Sequence, residues 1–177
     1  MDLYRAELET PIGVVYVVSD GAVLRAIDFA GYEDRMHRLL TRHYGQYTLH
    51  PAGSPTEALS RLAGYFAGDL KAVDGLPVAT NGTPFQQRVW AALRDIPPGS
   101  AVTYGEIAAR LGQPTACRAV GLANGANPIA IVVPCHRVIG ANAGLTGYGG
   151  GIERKQWLLA HEGGSLSPNR PPVTARL

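Results

Sequence analysis

Hydrophobic and polar positions in the first thirty residues follow strand spacing. Val14-Val15-Tyr16-Val17-Val18 and Val23-Leu24-Arg25-Ala26-Ile27 are short β-forming runs around Ser19-Asp20-Gly21, which predicts a hairpin. Alternation over Leu3 to Leu8 is weaker and predicts one more strand at the start. The period then changes. Apolar residues recur at helical spacing from Glu33 to Tyr44 (Met36, Leu39, Leu40) and from Thr56 to Phe66 (Leu59, Leu62, Tyr65, Phe66), predicting two amphipathic helices. Residues 1–80 therefore read as a small α/β domain. Its histidines, His37, His43 and His50, form no constellation that suggests chemistry.

Asn81-Gly82 marks a boundary. Thr83 then has the form of a helix cap, with Pro84 at the first helical position and Gln86 three residues after the cap. The predicted helix runs to Asp95, buries Phe85, Val89, Trp90 and Leu93, and stops at Ile96-Pro97-Pro98-Gly99. Thr103-Tyr104-Gly105-Glu106 is a second capping box, opening a short helix through Leu111. Gly112-Gln113-Pro114 turns the chain into a further helix over Thr115 to Ala123, so the pair has the shape of a helix-turn-helix. Its second helix carries Arg118 among Ala116, Cys117, Ala119 and Gly121. Small residues suit close approach to a duplex and close helix packing equally, and the pattern alone leaves both readings open. Ile129-Ala130-Ile131-Val132-Val133 predicts a buried strand. The fold class expected is an α/β N-terminal domain (1–80) and a mostly helical, winged-helix-like C-terminal domain (81–163). Residues 164–177, rich in Pro and Ser, are expected to form a flexible tail.

Composition narrows the class of protein. Of 177 residues, 46% are hydrophobic and 17% charged, which excludes wholesale disorder. No apolar run approaches the ~20 residues of a membrane span, and the first residues lack a signal-peptide core. A soluble, cytoplasmic protein is the default expectation. The net charge of +2 hides an asymmetry: residues 1–85 carry −3 and residues 86–177 carry +5. Fourteen of the sixteen basic residues are arginine, the side chain better suited to phosphate and base edges, so any nucleic-acid face belongs to the second half.

Chemistry concentrates at one place. Cys117 and Cys135 form no CxxC pair, and no histidine stands at ligand spacing around them, so neither a metal nor a cofactor is expected. The predicted strand delivers Pro134-Cys135-His136-Arg137-Val138 from the core. A free thiol has a pKa of about 8.5, so a nucleophilic cysteine needs a base or a positive field. His136 and Arg137 are adjacent, but neighbours on an extended chain point opposite ways, and His136 reaches the sulfur only if the strand ends there or a water bridges the gap. Taken alone, Cys135 fits a packed core thiol as well as a nucleophile.

The wider sequence bears on that choice. Pro134-Cys135-His136-Arg137-Val138 lies between Asn127-Pro128 and Gly147-Tyr148-Gly149-Gly150-Gly151. Around these stand Phe85-Gln86-Gln87-Arg88-Val89-Trp90, Thr103-Tyr104-Gly105-Glu106-Ile107-Ala108, Arg118-Ala119-Val120-Gly121 and Trp157-Leu158-Leu159-Ala160-His161-Glu162-Gly163. In order and spacing, these segments resemble the O6-alkylguanine-DNA alkyltransferases across residues 83–163. The first 80 residues are similar to the family's variable N-terminal domain.

The resemblance implies direct-reversal repair. Cys135 would take the alkyl group from O6 of a damaged guanine in double-stranded DNA, once per molecule, after the nucleotide is flipped out of the stack. It assigns Glu162, His136 and a bridging water to a relay that deprotonates Cys135, Tyr104 to protonation of the leaving base, and Asn127 to bracing the turn. It places Arg118 in the vacated stack, with Thr103, Tyr104, Ala119 and Gly121 along the DNA. Tyr148 and Gly149 would close over the base, and the carbonyls of Cys135 and Val138 would accept from the guanine amino group. O4-alkylthymine is a possible second substrate. Because one lesion needs one site, a monomer is expected. The rival readings are a binder of alkylated DNA without chemistry, whose known forms carry tryptophan in place of the cysteine, and a cysteine hydrolase, for which no separate oxyanion signal exists.

Overall fold

The computed structural model describes residues 1–53, 56–142 and 144–163. The predicted tail, 164–177, lies outside the described residues. The chain divides into two compact units, Met1–Asn81 with Pro128–Val132, and Gly82–Asn127 with Val133–Leu177.

In the first unit, β1 (Asp2–Thr10), β2 (Gly13–Ser19), β3 (Leu24–Phe29) and β4 (Thr48–Pro51) form one sheet in the order β3-β2-β1-β4. β1 and β2 pair antiparallel from Tyr4↔Ser19 to Thr10↔Gly13, leaving Pro11-Ile12 as the turn. β4 lies parallel to β1, from Asp2↔Thr48 to Arg5↔Pro51. β1 is longer than its weak alternation predicts because both of its edges are paired, so neighbours rather than pattern fix it. The β2–β3 turn is held by Asp20, whose Oδ1 accepts from the Ala22 and Val23 amides while Oδ2 accepts from Arg25. α1 (Glu33–Tyr44) keeps the predicted bounds and buries Met36 and Leu40 in a cluster with Leu3, Val18 and Ala26. α2 (Glu57–Phe66) follows Thr56, whose side chain caps it by accepting from Leu59 N.

The second unit is mostly helical: α3 (Pro84–Arg94), α4 (Tyr104–Arg110), α5 (Cys117–Gly125) and α6 (Ile152–His161). Both predicted capping boxes are present, Thr83 with Gln86 and Thr103 with Glu106. α3 buries Val89, Trp90 and Leu93, and the Trp90 indole N–H donates to Ala123 O at 2.9 Å, joining α3 to α5. Two short strands that the pattern does not announce, β5 (Val102–Thr103) and β6 (Val138–Ile139), pair in parallel. They set the start of α4 beside the segment that follows Cys135. No described helix is long and apolar enough to cross a membrane.

One expectation fails. Residues 129–133 are buried, but they do not form the predicted strand. Only Ile129 bridges to the sheet, at Ile27; the chain then turns, with Ile131 at φ 70° and Val132 N donating to Ala130 O at 2.8 Å. A continuous apolar run reports burial, and burial was its whole message here. The second helix of the helix-turn-helix also begins later than predicted, at Cys117 rather than Thr115.

Candidate active site

Cys135 opens a single 3-10 turn, Cys135–Arg137, that leads directly into β6. The turn resolves the geometric difficulty of adjacent residues, because Cys135, His136 and Arg137 do not lie on an extended chain. All three are buried. The Asn127 amide spends one hydrogen on Val133 O at 2.7 Å and the other on Cys135 Sγ at 3.0 Å. Asn127 is therefore tied both to the backbone just before the turn and to the sulfur. An N–H aimed at sulfur favours the thiolate over the thiol.

His136 Nε2 lies 2.8 Å from Glu162 Oε1, both side chains being fully buried. Burial lowers the His136 pKa below its ordinary value, aided by the Arg137 and Lys155 charges and opposed by Glu162. The ring is thus neutral near pH 7. An ionised carboxylate only accepts, so Nε2 carries the proton and Nδ1 keeps its lone pair. Nδ1 is buried with no hydrogen-bond partner among the described residues, so its lone pair is unused. Burial would raise the Glu162 pKa, but His136 and Arg137 together hold it well below the carboxylate range. Arg137 donates from Nε to Glu162 Oε2 (2.9 Å) and from Nη2 to Oε1 (2.8 Å), a two-point grip that fixes the carboxylate.

The loop read as a helix stop supports this pair. Arg137 Nη1 also donates to Ile96 O. Gly99 has φ 81°, and a side chain there would place its Cβ 2.9 Å from the Glu162 carbonyl, so only glycine fits.

Tyr104 is the first residue of α4 and is half-buried, over the Cα of Gly121 on α5. Its hydroxyl accepts from Thr146 Oγ1 at 3.5 Å, linking it to the loop before α6. The Thr103 hydroxyl is engaged as the α4 cap, accepting from Glu106 N. Arg118 and Ala119 are exposed near the start of α5. Tyr148 and Gly149 are half-buried in the loop. The structure thus joins Asn127 to Cys135 and His136 to Glu162 by direct contacts, and sets Tyr104 against Gly121 and the loop.

Two side chains escaped the reading of the sequence. Lys155, on α6, is completely buried; Nζ donates to Val138 O at 2.6 Å and to Thr146 O at 3.1 Å. Burial pulls its pKa down to about 8, against the attraction of Cys135. Asn124, on α5, donates from Nδ2 to Cys135 O at 3.3 Å. Lys155 had a signal in its rarity, as one of two lysines among sixteen basic residues, placed at an inward position of a helix. Asn124 had none. Among the described residues there is no group of acidic, histidine and cysteine side chains able to hold a metal.

Comparison with known proteins identifies the family of the chain. Residues 3–80 match the ribonuclease-like domain of 6-O-methylguanine DNA methyltransferase, and residues 84–164 match that family's DNA binding domain. The methylated-DNA–protein-cysteine methyltransferase of Salmonella typhimurium is 55% identical over 164 residues, covering 91% of this chain and 96% of the relative. The Mycobacterium tuberculosis protein of the same name is 48% identical over 177 residues, 98% of this chain and 97% of the relative. Among solved structures, Mycobacterium tuberculosis OGT in complex with DNA superposes with a TM-score of 0.77 at 46% identity, covering 92% of each chain. The O6-methylguanine-DNA methyltransferase of Pyrococcus kodakaraensis gives 0.72 at 30% identity, covering 91% of this chain and 99% of that one. Two family models that together match residues 3–80 and 84–164, and relatives 48–55% identical along nearly the whole chain, carry the assignment: this chain belongs to the methylated-DNA–protein-cysteine methyltransferases.

Proposed function

We propose that this protein repairs DNA by direct reversal, moving an alkyl group from O6 of guanine to Cys135. The observation that carries the reading is the Cys135 sulfur, gripped by Asn127 beside a neutral His136 whose Nδ1 is open. The Cys135 proton leaves through a water to His136 Nδ1, and Glu162 stabilises the imidazolium that forms. The thiolate attacks the alkyl carbon in line, the S–C bond forming as the C–O6 bond breaks. The departing guanine takes a proton from Tyr104 through N3, and the loop around Tyr148 and Gly149 closes over the base.

The target carbon is inaccessible within a stacked duplex, so the nucleotide must be flipped out, and Arg118 fills the gap it leaves. Thr103, Ala119 and Gly121 line the approach to the double-stranded DNA, with contacts chiefly to phosphate and sugar. Val138 O accepts from the guanine 2-amino group, which adenine lacks. A thioether is a poor leaving group, so each molecule acts once. A monomer working in the cytoplasm fits a reaction of one site on one lesion.

The test is the intact-protein mass after incubation with a duplex holding a single O6-methylguanine, followed by peptide mapping. A stoichiometric gain of one methylene on Cys135 is expected. Tight binding with no mass change would replace repair by lesion recognition alone.

A further inference from the structure

Asn124 is a buried amide with one half unused. It is 3% exposed, and its Oδ1 has no hydrogen-bond partner among the described residues. The orientation of the amide follows from its one contact: Cys135 O can only accept, so nitrogen faces it and Oδ1 is the free end. A buried acceptor without a donor costs folding free energy, and leucine would fill the place without that cost. Such a group points to a donor that arrives from outside.

Counting lone pairs at the neighbouring carbonyls shows what that donor is. Cys135 O already accepts from Val138 N, closing the 3-10 turn, and from Asn124 Nδ2. Both of its lone pairs are committed. Val138 O accepts from Lys155 Nζ and keeps one lone pair. The two carbonyls therefore do not offer equal places to an incoming amino group, and the second acceptor beside Cys135 O is the Asn124 oxygen. We infer that Asn124 Oδ1 and Val138 O together receive the two hydrogens of the guanine 2-amino group, so that Asn124 is a base-contacting, specificity-determining residue of the transfer reaction. This rests on a flipped O6-alkylguanine being the substrate. It also puts two tasks on one helix: Arg118 and Asn124 are six residues apart on α5, about 9 Å along its axis. The side chain that replaces the base in the stack and the one that reads the extruded base then move as one body.

The experiment compares O6-methylguanine with O6-methylhypoxanthine, which differs only in lacking the 2-amino group, in the same duplex sequence. Rates of methyl transfer to Cys135 are measured for the unaltered protein, Asn124→Leu and Asn124→Ser. The unaltered protein is expected to prefer guanine by roughly 10- to 100-fold, as two hydrogen bonds imply. Both variants should reduce that ratio about tenfold, chiefly by slowing reaction with guanine. A ratio unchanged in a folded variant, with both rates falling together, would make Asn124 a structural residue and overturn the inference. A ratio near one in the unaltered protein overturns it with no variant needed. If no methyl reaches Cys135 from either base, the repair reading itself has failed, a result distinct from a lost preference.

Discussion

In the first unit, Asp28 is the only polar residue buried among the described residues, and its partner Arg35 reaches the rim with a side chain 18% exposed. The second unit buries seven: Ser100, Asn124, Asn127, His136, Arg137, Lys155 and Glu162. Six of these surround or brace Cys135 through the contacts described above. Burying charge costs stability even when it is paired, and well-packed apolar residues could fill the same space without that cost. The first unit is therefore arranged as folding alone would arrange it. The second accepts a penalty, and the penalty is concentrated where the chemistry is.

Replacing Cys135 gives the sharpest contrast. Cys135→Ala should abolish transfer while leaving duplex binding and the helical signal intact, as intact mass and a gel-shift titration will show; transfer that persists would move the reaction to Cys117. The second largest effect sets the two units against each other. Glu162→Gln leaves Arg137 buried without its countercharge and should cost about 3–5 kcal/mol in chemical denaturation. Asp20→Asn, at the partly exposed Arg25 pair of the first unit, should cost about 1 kcal/mol or less. Equal costs would erase the distinction between the units.

Tyr104→Phe keeps the ring over Gly121 and removes the proton, so single-turnover transfer should slow about 100-fold. A rate within twofold of the original takes Tyr104 off the proton path. Arg118→Ala should weaken repair in a duplex by roughly tenfold and flatten the salt dependence by about one charge, sparing reaction with the free base. Equal loss on both substrates contradicts a role in the stack.

The smallest effect is on the pH profile of stability. Lys155 has a folded pKa of about 8, below its ordinary 10.5, so between those values the unfolded chain holds more protons than the native one. Its contribution therefore becomes more favourable as pH rises through that window, and Lys155→Met should remove the rise. Glu162 acts in the same sense in a lower window, because its pKa is also depressed: the stability it supplies is full above the ordinary carboxylate range and is lost as pH falls below about 4.5.

Legibility in the sequence follows the same division. α1 and both capping boxes could be read to the residue, because helical period and cap chemistry are local signals. The run from Ile129 to Val133 misled because a buried turn and a buried strand share a composition. β5 and β6 are two residues each, too short to have a period, although their pairing sets Tyr104 near the active turn. At the site, Cys135, His136, Asn127 and Glu162 were named through a family pattern. The grip of Arg137 on Glu162 and the half-used amide of Asn124 depend on residues far apart in the chain, and no local rule reports them.

The burial of Lys155 has a practical consequence at the bench. The sequence contains only two lysines, and the other, Lys71, is exposed. An amine-reactive dye or surface linker will therefore find a single lysine while the protein is folded, on the unit that does not hold the reactive thiol. The molecule can be tethered or labelled at one defined side chain without engineering. A second lysine becoming reactive then reports that the pocket around Cys135 has come apart.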